Sequence, residues 1–217
     1  MSVALREPKQ ARSVETYGRL LDAAEAIMGE KSFDDATIEE IVSRAGLTTG
    51  AFYARFRNKE ALLRHLEDRM TSEFTAIFSE VTDGVSASAR GAELLERIIG
   101  VWAREYARRR PVARALVLRS HTDAQVHRRL QDLNRLNHAK IFRRLTRESA
   151  IRHPNRALAV DFALLAARSV LRETILFREV WPGRPALPEE GLVRELTRMT
   201  LAYLGISGSG GDAEDEG

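Results

Sequence analysis

Thr48, Thr49, Gly50 and Ala51 form a run of small or short polar residues, with Tyr53, Arg55 and Lys59 close behind. These types at this spacing make no nucleophile, acid–base pair or metal site. What they offer is hydrogen bonding. Small side chains let the start of a helix approach base edges closely, and the free amides of a helix N-terminus attract phosphate. Tyr53 and Lys59 have polar tips able to grip phosphates on either side, which fixes register. Arg55 suits either a guanine, paired bidentately, or a phosphate.

The surrounding segment, Thr37 to Phe56, reads as two short helices joined by a tight turn. Thr37 and Glu40 have capping-box spacing. Ile38, Ile41 and Val42 supply a buried side, and Gly46 ends the first helix by taking a left-handed conformation. Thr48 is the expected N-cap of a second helix, Thr49 to about Phe56, which carries no acidic residue. Phe52 and Phe56 sit four apart and should bury together.

The remaining elements follow from helical periodicity, since period-two alternation is scarce. A helix from about Val14 to Gly29 puts Leu20, Leu21, Ala24, Ile27 and Met28 on one face. Asn58 caps a long helix from Lys59 to about Thr82. Further helices are expected at Ala92 to Arg109, Val112 to Arg119, from a Thr122/Gln125 capping box to before Pro154, Asn155 to Val180, and Glu189 to Leu204. The Asp83–Gly91 stretch reads as a loop, and the run Pro182 to Pro188 as a break. The fold class is all-α, with about nine helices. Residues 1–13 are expected to be a flexible basic arm, 14–74 a DNA-binding domain, 75–206 a larger helical domain, and 207–217 a disordered tail.

Composition narrows the function. The chain has 217 residues, 44% of them apolar, and a formal net charge of +3. It has no cysteine, so disulfides and thiolate metal sites are excluded. No apolar run suits a membrane span or a signal peptide, which points to the cytoplasm. Between Arg104 and Arg152 there are 14 Lys or Arg against 4 Asp or Glu. Only Lys9, Lys31, Lys59 and Lys140 are lysines; the arginine bias suits a GC-rich genome, and the basic run suits a solvated face more simply than an anion site. The five histidines form no His-x-x-x-His pair and no Glu-x-x-His cluster, and Asp123 with His127 reads as a surface pair or cap. No enzyme, cofactor or metal is expected.

The N-terminal segment resembles the DNA-binding domain of the TetR family of bacterial transcriptional regulators. The resemblance rests on Ala23-Ala24, Phe33, Thr37-Ile38, Ile41-Val42, Ala45-Gly46-Leu47, Thr49 to Tyr53, Phe56 and Asn58 to Leu63, and covers about Val14–Phe74. It implies that Thr37 touches phosphate, that Leu47, Thr48, Thr49, Gly50 and Ala51 face the groove, and that Tyr53, Lys59 and Arg12 hold the backbone. The family often has glycine at Ser32, and His or Tyr at Arg55.

The resemblance further implies a homodimer built through the last two helices, a pseudo-palindromic double-stranded DNA operator, and a small-molecule effector. The last two long helices are apolar on more than one side, so each needs more than one packing partner. Leu164, Leu171, Ile175, Leu192, Leu196, Met199 and Tyr203 are the expected dimer residues. Phe74, Phe78, Trp102, Tyr106, Leu116, Phe142 and Phe162 are the candidate pocket lining. The expected function is repression relieved by the effector; activation on the same fold is the alternative, ahead of a helical adaptor or enzyme.

Overall fold

A computed structural model describes residues 9–84, 91–147, 151–178 and 188–206, with the side chains of 9–12 excepted. It contains α1 (Lys9–Met28), α2 (Ile38–Ala45), α3 (Thr49–Tyr53), α4 (Lys59–Gly84), α5 (Gly91–Arg108), α6 (Arg110–Arg119), α7 (Ala124–Leu145), α8 (Arg156–Leu176) and α9 (Glu189–Leu204). No strand occurs among the described residues. The chain divides into two compact units between Met70 and Thr71, inside α4 and four residues before the expected boundary.

Several boundaries differ from the sequence reading. α1 starts at Lys9, so residues 9–13 of the expected arm are helical, and residues 1–8 lie outside the described residues. α3 stops at Tyr53 rather than Phe56. Its last amides close a turn, with Arg55 and Phe56 both donating to the Phe52 carbonyl, and Phe56 is thereby swung into the core. The N-cap of α7 is Asp123, not Thr122. Its carboxylate accepts from the Gln125 and Val126 amides at 2.7 and 3.2 Å, whereas the Thr122 hydroxyl donates back to Arg119. An ionised carboxylate is the stronger acceptor, and those two amides hold its pKa below the ordinary value. α8 ends at Leu176; the expected end at Val180, the Pro182–Leu187 stretch and the 207–217 tail lie outside the described residues.

Unit 1 is built on α1, which buries Leu20, Leu21, Ala24 and Ile27 against Ile41, Phe52, Phe56, Leu62 and Leu66. Tyr17 lies 5.7 Å from the Phe56 ring, and its hydroxyl is 3.2 Å from His65 Nδ1. Arg69 ties α4 to α1 through Asp22 and Glu25, both at 2.6 Å.

Unit 2 packs α5 at its centre against α8 and α9. Leu95, Ile98, Ile99, Ala103, Ala159, Val160, Leu171 and Leu204 are buried there. Its basic residues serve the architecture. Arg110 Nε donates to the Ile175 carbonyl at 2.8 Å and Arg110 Nη2 to that of Leu176 at 3.2 Å, covering the end of α8. Arg144 caps the last turn of α4 through the Thr82 carbonyl at 2.7 Å, and Arg156 reaches the Thr146 carbonyl beyond α7 at 3.0 Å. Arg108 and Arg109 both hold Glu73. Within the basic run read as a solvated face, Arg104, Arg128, Arg135, Arg143, Arg147 and Arg152 are exposed, while Arg110 and Arg144 supply donors where terminal carbonyls lack them and Arg109 is held in an ion pair.

Thr197 and Thr200 face inward on α9, and neither hydroxyl has a hydrogen-bond partner. A buried unsatisfied hydroxyl costs stability that an isosteric methyl does not. Thr200→Val is expected to raise the unfolding free energy of unit 2 by about 1 kcal/mol. An unchanged or lower denaturant midpoint would show that the hydroxyl is satisfied in solution.

Candidate nucleic-acid interface

The geometry of the helix-turn-helix is set by its caps. Thr37 Oγ1 accepts from the Glu40 amide at 3.2 Å, while Glu40 Oε2 accepts from the Thr37 amide at 2.9 Å. Lys31 adds two bonds to the same carboxylate at 2.5 and 2.6 Å. These bonds, Lys31 first and the Thr37 amide next, hold the Glu40 carboxyl down at about 2.

The turn after α2 closes at Gly46, whose φ of 62° favours glycine. The Gly46 and Leu47 amides return to the Ser43 and Val42 carbonyls. Arg19, from α1, closes the same end by donating to the Ala45 and Gly46 carbonyls at 2.5 and 3.3 Å. A Cβ at position 46 would stand 2.9 Å from Arg19 Nη2 and would push that flexible side chain off its cap, but it is the left-handed backbone that calls for glycine. Arg19 escaped the sequence reading because the contact spans 26 residues and leaves no local pattern.

α3 opens at Thr48, whose Oγ1 accepts from the Ala51 amide at 3.2 Å. Thr48, Thr49 and Gly50 are exposed together, Ala51 and Leu47 are half-buried, and Thr37 is exposed. A Cβ at Gly50 would make only ordinary contact with Thr48, so the protein interior does not require glycine there. Phe52 is fully buried, and its ring meets Tyr53 edge-on at 5.4 Å. That leaves Tyr53 turned outward, 56% exposed. Thr37, Thr48, Thr49, Gly50 and Tyr53 are therefore all presented outward.

Two expected DNA ligands are occupied differently. Lys59 Nζ donates to the carbonyls of Phe33, Asp34 and Ala36 at 2.9, 2.7 and 2.9 Å, and lies 5.0 Å from the centroid of the Phe33 ring. An ammonium has three donors, and here all three are used inside the protein. The structure thus corrects the phosphate role expected of Lys59: this lysine pins the connection that leads into Thr37. Arg55 is half-buried and bends back to the Ala51 carbonyl at 3.2 Å, with Nε buried and unpartnered. It is drawn against α3 rather than extended toward a base. The Arg12 side chain lies outside the described residues.

Residues 20–66 match the family model described as bacterial regulatory proteins, tetR family. Unit 1 is thus similar to the DNA-binding domain of the tetR family. The A-factor receptor protein of Streptomyces griseus is 41% identical over 64 residues, 30% of this chain and 23% of that protein. The transposon Tn10 TetC protein of Escherichia coli is 33% identical over 75 residues, 33% of this chain and 38% of that protein. The matched segment thus spans only 23% and 38% of the length of these two relatives. The fold extends further. A putative TetR-family regulator from Mesorhizobium loti aligns at a TM-score of 0.68 and 21% identity, over 91% of this chain and 98% of that one. FadR from Bacillus subtilis, solved with stearoyl-CoA, aligns at 0.64 and 16% identity, over 88% and 100%.

The remaining expected sites lie in unit 2, and two assignments there are corrected. Phe162, expected in a pocket, is 54% exposed beside Tyr203, with ring centroids 5.5 Å apart. Leu164, Leu171, Leu192 and Leu196, expected at a dimer interface, are buried in the core of their own unit, and Ile175 packs partly against it. The outward stripe of α8 is instead Leu158, Phe162 and Leu165, joined on α9 by Met199 and Tyr203. Periodicity gave α8 two apolar sides but not which one α5 covers. Phe78, Leu116 and Trp102 are buried; Phe74, Tyr106 and Phe142 are half-buried.

Two predictions follow from the capping geometry. Lys59→Met should destabilise unit 1 by about 2 kcal/mol while leaving the salt dependence of DNA binding unchanged. A shallower salt slope would restore the phosphate role. Glu40 ionises well below its ordinary 4.5, so its bonds stabilise the folded unit above that value and are lost as pH falls toward about 2. Glu40→Gln should therefore flatten the fall in melting temperature over that interval. An unaltered acid limb would show that Glu40 contributes nothing to it.

Proposed function

We propose that this protein is a dimeric transcriptional regulator that binds a pseudo-palindromic DNA operator and is released from it by a small-molecule effector. The observation that carries the reading is the outward cluster of Thr48, Thr49, Gly50 and Tyr53 on a capped helix-turn-helix of the tetR family. In this reading α3 enters the major groove. Thr48, Thr49, Gly50 and Ala51 meet base edges, Leu47 lies at the groove's rim, and Thr37, Tyr53 and Arg12 hold phosphates. Arg55 contributes only after leaving its bond to Ala51.

A symmetric partner presents a second recognition segment to the same face of DNA. The exposed stripe of Leu158, Phe162, Leu165, Met199 and Tyr203 supports a dimer through α8 and α9, since so continuous an apolar surface seeks a partner. The stearoyl-CoA bound to one structural relative supports an effector role for unit 2. The effector acts by binding more tightly to conformers whose two recognition segments do not fit both half-sites. Repression is the simplest consequence, because a dimer on its operator blocks the promoter without further contacts.

The test is selection of bound sequences from random duplex DNA by the whole protein at fixed salt. An enriched inverted repeat is expected; no enriched motif, or one without dyad symmetry, would overturn the reading. Phe162→Glu combined with Leu165→Glu should give monomers by light scattering and weaken binding to the selected site by at least about a hundredfold. A double variant that stays dimeric would move the interface away from this stripe.

A further inference from the structure

Two kinds of contact hold α3 in place. Phe52 and Phe56 are buried beneath it, which fixes its depth. Apolar burial is non-directional, so it leaves a five-residue helix free to tilt and slide. Hydrogen bonds are directional and fix an angle. Gly46, Leu47 and Thr48 lead from α2 into α3. Among the described residues, Arg19 is the one side chain from another helix that hydrogen-bonds this turn or the Ala45 carbonyl before it.

The joint is firm on the α1 side. Arg19 stands immediately before Leu20 and Leu21, both fully buried, and one turn before Asp22, which with Glu25 is held to α4 by Arg69 at 2.6 Å. The guanidinium works as a fork. Nη2 donates to the Ala45 and Gly46 carbonyls at 2.5 and 3.3 Å, while Nη1 lies 3.9 Å from Glu15 Oε1, one turn back on α1. A planar group with donors on both branches spans those partners; a compact ammonium does not. The Arg19 side chain is 46% exposed, so removing it opens no hole in the core. What its removal takes away is direction.

We infer that Arg19 is a positioning residue for DNA recognition: through the Ala45 and Gly46 carbonyls it sets the angle at which α3 is presented, and with it the discrimination between base sequences, without touching DNA. This rests on the reading of α3 as the recognition helix. Base-edge hydrogen bonds are short and directional, whereas attraction to phosphates acts over a Debye length and tolerates a small tilt. Loosening the turn therefore costs sequence discrimination before it costs general affinity.

The test is titration of the full protein, wild type, R19Q and R19K, against two labelled duplexes over a range of salt. One duplex carries the inverted repeat selected from random DNA; the other is a scrambled sequence of equal length and composition. Melting temperatures are measured alongside, and binding is read below all of them. R19Q is expected to bind the repeat about tenfold more weakly, with its affinity for the scrambled duplex and its salt slope unchanged. R19K, which keeps the charge but not the fork, should fall between wild type and R19Q on the repeat. Equal losses on both duplexes with a shallower salt slope would make Arg19 a phosphate ligand and overturn the proposal. A lower melting temperature with an unchanged ratio of the two affinities would make it a stabilising cap alone and overturn it as well. Should R19Q prove unfolded, R19K decides by the same ratio. A wild type that does not prefer the repeat defeats the recognition reading itself, whereas discrimination retained in R19Q defeats only the role of Arg19.

Discussion

An all-helical chain leaves its last carbonyls unpaired at every helix end, and this protein closes many of those ends with cations sent from elsewhere in the sequence. Arg19 closes α2, Arg144 the end of α4, Arg156 the turn after α7, and Arg110 the end of α8. Lys59 gathers three carbonyls in the connection before α2. The arginine bonds satisfy orphan acceptors and place positive charge at the negative end of a helix dipole, whereas the Lys59 bonds satisfy carbonyls of a connection. Because the donor and the acceptor belong to different elements, each cap is also a joint that fixes where two elements meet.

In unit 1 these joints define the recognition surface. Arg19 holds the turn between α2 and α3, Lys59 holds the approach to Thr37, and the Thr37–Glu40 box holds the start of α2. α3 itself has only five residues, too few to be stable alone. Its orientation comes from Phe52 and Phe56, buried beneath it and packed with Tyr17 and His65. The outward residues are then free to be small and polar, since none is needed for the core.

Unit 2 follows the same economy with a different result. Its basic residues look like a charge patch in the sequence, yet Arg108, Arg109, Arg110, Arg144 and Arg156 are all engaged by glutamates or carbonyls.

The sequence by itself determined the all-α class, the order and approximate extent of the helices, and the exposed character of Thr48, Thr49, Gly50 and Tyr53. Those features rest on local rules: caps, a left-handed glycine, and the spacing of Phe52 and Phe56. It missed the early end of α3 and the role of Asp123 because a turn and a cap are decided by which of several nearby donors and acceptors binds best. Only the tertiary structure decided which side of α8 is core, turning Leu164 and Leu171 inward and Phe162 and Leu165 outward, since periodicity gives a helix its faces but not its neighbours. It alone decided that Lys59 and Arg19 are caps, because a cation and a carbonyl more than twenty residues apart share no sequence pattern until the chain folds them together.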